Sequence, residues 1–372
     1  MADLYDRSIE IIRTYQHASG AYVACPNFPT YRYCWFRDAS FVAYAMDLAG
    51  QPESAGRFHA WAAQAVNTRA DVIRGGLAKA ARGEPLAEAD ILHTRLTLDG
   101  QDGTQEAWGN FQLDGFGTWL WALAEHRKLS AAPLPADWLA AAGLVADYLA
   151  ALWRRPCYDC WEEFGDKVHP HSLAAIYGGL MAYREIAPGP LPAAVDAAPG
   201  EIRAFIEAAF VFESHFVKFA GQPAVDASLL GLAVPYGVVA ADDPRMLATA
   251  AEIERSLYHG GVRRYAADTY YGGGEWILLT AWLGWYDCRL AAAAGQDAGA
   301  LRLKIARILE WIESQAAADG SLPEQAPQHL NAPAYYPPWL KRWGPIASPL
   351  LWSHAKYIIL KKAMAGYTVP GR

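Results

Sequence analysis

Trp161, Glu162 and Glu163 set two acids directly behind an indole, in a connector that also holds Asp159 and Asp166. Carboxylates crowded beside an apolar ring have at least one pKa raised, by like-charge repulsion and desolvation, and a carboxyl that keeps its proton near neutral pH can serve as a general acid. The same residues also suit a solvated acidic turn feeding the next helix N-terminus. Glu324, in Leu322-Pro323-Glu324-Gln325 with Tyr335, Tyr336, Trp339 and Trp343 close behind, is the candidate second carboxylate, although Pro-Glu-Gln is also an ordinary helix start. Arg37 and Asp38 follow Trp35. Beside a ring, that pair suits recognition of vicinal hydroxyls, the Arg donating and the Asp accepting; equally, it suits a helix-capping Asp and an Arg paired with a nearby acid. Arg264 and Asp268 offer the same two readings.

Other chemical groupings point to less. Cys157 and Cys160 with His169 and His171 lack the spacing of structural zinc patterns, so no metal site is expected there, and no cofactor motif is found. Gly272-Gly273-Gly274 has no preceding strand and no G-x-G-x-x-G pattern, which makes it a close-approach turn. His354 lies in an apolar stretch and is expected to be a hydrogen-bonded core histidine. Five cysteines in so long a chain are an odd, sparse set, unlike a disulfide framework, and are expected to be free thiols.

Composition bounds the class of protein. The chain has 372 residues, 53% of them hydrophobic and 13% aromatic, far too apolar for a disordered chain. Its 32 Lys and Arg against 39 Asp and Glu give a net charge of −7 with no dense basic run, so nucleic acid is not an expected partner. No stretch is long and apolar enough to span a membrane, and the first residues carry acids where a signal peptide would be basic; the expected protein is soluble and cytoplasmic, with no membrane partner. Fifteen Trp and 20 Tyr suit open clefts for flat polar ligands such as sugars, although large helical cores also collect aromatics.

The elements that must position these residues are helices. Apolar residues recur at helical spacing almost from end to end, from Tyr5, Ile9 and Ile12 to Leu351, Ala355 and Ile358, in about twelve helices including a short one near Ser228 to Leu232. Asp243 with Pro244, and Ser348 with Pro349, read as caps followed by proline at the first helical position. Period-two alternation is nearly absent and no segment reads as a flexible linker, so an all-α fold in a single domain over residues 1–372 is expected. The connectors entering the second, fourth, sixth, tenth and twelfth helices are long and rich in Trp, Tyr, Arg and acids, whereas those entering odd-numbered helices are mostly short. Two concentric helical rings produce such an alternation, which predicts an (α/α)6 barrel with a cleft at the N-terminal ends of the inner ring. A helical solenoid would also alternate, but with a repeat period that is not found.

Taken in order, the segments YRYCWFRD, WGNFQLDG, DCWEE, GVRRYAADTYYGGGEW, LPEQ and PLLWSHAKY resemble the catalytic domain of glycoside hydrolase family 15, the glucoamylase and glucodextranase family, over nearly the whole chain. The resemblance implies an (α/α)6 barrel that removes glucose from the non-reducing end of α-glucosides with inversion. It implies Glu162 as general acid, Glu324 as general base, and Trp35, Arg37, Asp38, Trp108, Trp161, Glu163 and Arg264 around the non-reducing glucosyl unit. Tyr31 would pack near the reacting centre and Asp159 would support the acid. Inversion requires roughly 6.5–9.5 Å between the carboxyls, room for a water.

Two departures from the family matter. Helices begin within the first few residues, so neither the N-terminal β-sandwich nor the starch-binding module of many relatives is expected. Asn110 stands where fungal glucoamylases have an arginine, which bears on the leaving-group subsite. Without a module that grips polymer, short oligosaccharides are the expected substrates, and the resemblance to compact family members that include isomaltose-type glucohydrolases implies α-1,6 linkages, with α-1,4 or trehalase specificity as alternatives. A non-catalytic sugar-binding domain, as in phosphorylase kinase regulatory subunits, and a zinc-dependent cyclase are the competing classes. Oligomeric state is left open by the sequence.

Overall fold

The computed structural model describes residues 3–103, 107–295 and 298–366. Within them the chain forms thirteen α-helices and six strands of two residues each. It divides into two compact units, one comprising Tyr15–Ala24 with Thr30–Ala209 and the other the rest of the described chain.

In the first of these units, α2 (Phe36–Leu48), α5 (Asp114–Ser130) and α7 (Pro170–Ile186) pack side by side, α5 against both neighbours. Every residue of α2 is buried, as is α5 from Asp114 to His126. Helices buried all round form an inner layer. An outer layer of α3 (Pro52–Asn67), α6 (Ala136–Leu152) and α8 (Ala193–Ala209) packs on them, each with one exposed face. The backbones of α5 and α7 touch through two glycines. A Cβ at Gly117 would lie 2.3 Å from the Ala175 carbonyl oxygen, and one at Gly179 would lie 2.4 Å from that of Gly117.

The other unit repeats the plan. Its inner elements are a fully buried 3-10 stretch, Ala227–Leu232, then α10 (Ile277–Ala294) and α13 (Leu351–Met364). Outside them lie α9 (Pro244–Leu257), α11 (Gly299–Ser314) and α1 (Leu4–Thr14), which bury one stripe each. The inner elements α2, α5, α7, α10 and α13 are those that the long aromatic connectors enter. Asp243 caps α9 as expected, its carboxylate accepting from the Arg245 amide at 2.8 Å.

Three features differ from the sequence reading. Helix α4 (Ala70–Ala81) carries Gly75 and Gly76 and buries only Ile73 and Gly76, so neither propensity nor an apolar stripe marks it. Helix α12 (Tyr336–Trp343) starts on prolines at its first positions and buries none of its residues. Ser348 does not cap α13, which starts at Leu351. Residues 348–350 serve other backbone bonds instead: the Leu350 amide donates to the Leu322 carbonyl at 2.9 Å and the Ser348 carbonyl accepts from Asn27 at 3.2 Å.

At an exposed helix position, Gly→Ala stabilises by up to ~1 kcal/mol. Gly117→Ala and Gly179→Ala are expected to do the opposite, each lowering the unfolding free energy by about 1–3 kcal/mol in urea titrations, because the added methyl meets backbone that cannot yield.

Candidate active site

Trp35 ends strand β1 (Cys34–Trp35), which pairs antiparallel with β2 (Arg95–Leu96) in the register Trp35 to Arg95. The Phe36 amide adds a bond to the Thr94 carbonyl at 3.3 Å. Trp35 flanks α2 in an extended conformation, so Arg37 and Asp38 occupy the first turn of the helix. Around Trp35 the rings of Tyr31 and Trp108 stand edge-on, at 5.7 and 6.1 Å between centroids. The Arg95 guanidinium lies 4.2 Å from the Tyr33 ring centroid and 3.7 Å from that of Trp108. A buried cation over ring faces fixes their tilt as well as adding attraction.

The turn carrying the adjacent acids is organised by Asp159. Its Oδ1 accepts from the amides of Trp161 and Glu163, both at 2.9 Å, while its own amide donates to the Glu163 carbonyl and its carbonyl accepts from the Glu162 amide. Glu162 is thereby held at φ +68°, the left-handed region that non-glycine residues rarely occupy. Its Oε1 accepts from the Trp35 indole at 2.5 Å and from Gln112 Nε2 at 3.2 Å, and lies 3.8 Å from Arg37 Nη2. The Glu162 side chain keeps 18% of its surface exposed, which a proton donor to a ligand requires. Trp161 is buried and Glu163 half-buried in the same turn.

Charge at this point is unbalanced. The buried Arg37 guanidinium lies 3.4 Å from Asp38, 3.2 Å from Asp114 and 3.8 Å from Glu162. It also donates to Gln112 Oε1 at 3.0 Å. One cation within reach of three carboxylates only partly offsets the cost of burying them. Burial pushes the Asp38 carboxyl up to about 7, against the pull of Arg37 and with help from Glu162 and Asp114. Burial likewise raises Glu162, opposed by Arg37 and by the hydrogen bonds from Trp35 and Gln112.

Arg264 and Glu324 belong to the other unit. There β5 (Glu275–Trp276) pairs with β6 (Gln325–Ala326), and Trp276 flanks α10 in the same extended conformation that Trp35 adopts before α2. Glu324, 2% exposed, immediately precedes β6. Its amide donates to the Ala347 carbonyl at 2.9 Å and its carbonyl accepts from the Ile277 amide at 3.2 Å. From α13, His354 Nε2 accepts from the Leu322 amide at 3.0 Å and Ser353 Oγ donates to the Pro323 carbonyl at 2.8 Å. His354 is thus the core histidine expected, with burial pushing its pKa down to about 3. Arg264 Nε donates to Asp268 Oδ2 at 2.7 Å and Nη2 to Oδ1. Its guanidinium lies within 5.5 Å of the ring centroids of Tyr265, Tyr270 and Trp276.

The structure therefore brings Tyr31, Trp35, Arg37, Asp38, Trp108 and Glu162 into one cluster, with Asp159, Trp161 and Glu163 in the turn behind it. Gln112, Asp114 and Arg95 belong to that cluster and were not singled out from sequence, nor was the buried Lys218–Asp226 pair at 2.5 Å in the other unit. Asn110, 6% exposed, donates to Glu88 Oε1 at 2.5 Å. The glycine run is the close-approach turn expected, since a Cβ at Gly273 would lie 2.4 Å from the Asp268 carbonyl. Cys157, Cys160, His169 and His171 form no metal-ligand cluster among the described residues, and the five cysteines are free.

Asp38 ionises near pH 4 in an unfolded chain and near pH 7 here. Between these values the folded state holds a proton that the unfolded state releases, so this group's contribution to stability falls as pH rises from about 4 to about 7. Asp38→Asn, which keeps the neutral form at every pH, is expected to lose less stability than the parent between pH 5 and pH 8 in urea titrations; parallel losses would contradict the assignment.

Comparison with known proteins identifies the family. The family model of glycosyl hydrolases family 15 matches residues 2–318, a span that includes Glu162 and stops short of Glu324. The chain is 44% identical over 363 residues to isomaltose glucohydrolase of Kribbella flavida, covering 96% of this chain and 91% of that protein. It is 29% identical to an uncharacterized glycosyl hydrolase of Methanocaldococcus jannaschii, covering 91% of this chain and 52% of the relative. A solved wild-type glycosidase superposes with a TM-score of 0.90 at 42% identity, covering 97% of this chain and 96% of that one, and a variant structure under the same name holds glucose. A bacterial glucoamylase complexed with acarbose matches at a TM-score of 0.74 and 21% identity, over 98% of this chain and 56% of that one, which is likeness of fold. The fold is the all-α (α/α)6 class of those structures, and with the family model matched over most of its length, the chain belongs to glycosyl hydrolases family 15 and is a glycoside hydrolase.

Proposed function

We infer that the substrates are isomaltose and short α-1,6-linked gluco-oligosaccharides, from which the enzyme releases β-glucose at the non-reducing end. The observation that carries this reading is the 44% identity, through 96% of the chain, to a protein named isomaltose glucohydrolase. Glu162 is the general acid and Glu324 the general base. Glu162 protonates the glycosidic oxygen as the bond to the anomeric carbon breaks, while Glu324 takes a proton from the water that attacks the opposite face, so the configuration inverts. In support, burial raises the Glu162 carboxyl, which favours the protonated form that an acid needs, and Arg37 limits that rise so that the proton can still be given up. Glu324 follows a rigid segment bonded on both sides, and a base must be fixed in position before its pKa matters. Trp35, Trp108, Arg37, Asp38, Trp161, Glu163 and Arg264 bind the non-reducing glucosyl unit, with Tyr31 packed beside the reacting centre and Asp159 positioning the acid through its turn.

Incubation with maltose, isomaltose, kojibiose, nigerose and trehalose, followed by proton NMR, tests the reading. Isomaltose is expected to be cleaved fastest, with β-glucose as the first anomer. Initial α-glucose would overturn inversion, and faster cleavage of another disaccharide would overturn the linkage. Glu162→Gln and Glu324→Gln are each expected to lower kcat by about 10²–10⁴-fold with the circular-dichroism melting curve retained. Near-normal turnover in either variant would remove that residue from its role. Because the acid must be protonated, activity should fall on the alkaline side as Glu162 ionises.

A further inference from the structure

Asp47, His59 and His126 meet on three helices of the first unit, at the C-terminal end of α2, midway along α3 and late in α5. One nitrogen or oxygen from each lies within 4.8 Å of the others, and all three residues are buried, with His59 at 0% exposure. His126 Nδ1 lies 2.9 and 3.0 Å from the two Asp47 oxygens. The His59 and His126 rings are 4.9 Å apart between centroids, and Trp138 covers them at 5.9 and 6.1 Å.

Neither ring nitrogen of His59 has a hydrogen-bond partner among the described residues. A neutral imidazole carries one N–H and one lone pair, and leaving both unmatched in a packed core costs free energy that a satisfied or apolar side chain would not. Asp47 adds a buried carboxylate, with Glu125, itself 2% exposed, beside His126 in the chain. Lys128 answers Glu125 at 3.1 Å but leaves Asp47 to His126. A cation that accepts the His59 lone pair and faces Asp47 answers the unmatched acceptor and the buried carboxylate together.

We propose that Asp47, His59 and His126 bind a divalent transition-metal ion, zinc by preference, as a staple joining α2, α3 and α5. Two imidazoles and a carboxylate are borderline ligands that suit zinc, whereas calcium and magnesium favour sites built from oxygens. Tetrahedral zinc at 2.0–2.1 Å sets its ligand atoms about 3.4 Å apart, between the 2.9 Å that separates Asp47 from His126 and the 4.8 Å within which all three ligand atoms lie. Three protein ligands leave a fourth place for water. Asp47 stands ten residues beyond Arg37 on α2, about 15 Å along the helix axis, so the ion is structural and takes no part in the chemistry at Glu162.

Protein purified without chelator is expected to carry about one zinc per chain by elemental analysis. Stripping with dipicolinate should lower the melting temperature, and zinc alone, at about a hundred times its Kd, should restore several degrees where calcium does not. Cobalt added to the stripped wild type should give visible d–d absorption, a readout independent of any variant. His59→Leu and His126→Gln should each abolish the zinc-dependent shift. A stripped wild type whose melting and visible spectrum are indifferent to zinc and cobalt would overturn the proposal and assign the cluster to a buried water; a shift that survives in both variants would place the metal elsewhere and overturn it equally.

Discussion

One guanidinium shared among three carboxylates is the constraint on which the first unit is built. Arg37 is too deeply buried to be screened by water, and Asp38, Asp114 and Glu162 all lie within 3.8 Å of it. Were the cation missing, three buried acids would repel one another with nothing to offset their burial. Burial is what raises the Asp38 and Glu162 carboxyls, with like charge adding to it at Asp38, while Arg37 and the hydrogen bonds from Gln112 and the Trp35 indole pull Glu162 back toward its ionised form.

Holding such a cluster requires backbone that does not drift. In each unit a pair of two-residue strands, β1 with β2 and β5 with β6, clamps the segment entering an inner helix, and a tryptophan stands at the junction. Strands so short have little stability of their own. They exist because α2 and α10, buried nearly all round, fix where the segments begin, and because α13 holds Leu322 and Pro323 through His354 and Ser353. Precision in the site is borrowed from packing of the inner helices, including the glycine contact between α5 and α7.

Much of this was legible in the sequence because helical stripes and aromatic connectors are local signals. The alternation of long and short connectors gave the inner and outer layers, and adjacency alone put Arg37 and Asp38 at a helix start. What stayed hidden depends on distant pairing. Arg95 has no aromatic neighbour in sequence, and only the β1–β2 register sets it against Tyr33 and Trp108. Gln112 lies within a recognised motif, yet its link between Arg37 and Glu162 needs three segments to converge. Helices α4 and α12 were masked by glycines and prolines that their structural settings accept. His59 and His126 sit on apolar stripes, 67 residues apart, where each alone reads as core.

The left-handed backbone of Glu162 sets stability and chemistry against each other at a single position. Asparagine or glycine would occupy that conformation with less strain, and either would relieve the acidic crowding around Arg37. A glutamate there, with Asp159 bracing its turn, keeps a strained backbone inside a cluster already crowded with acid, a standing cost to the robustness of the fold.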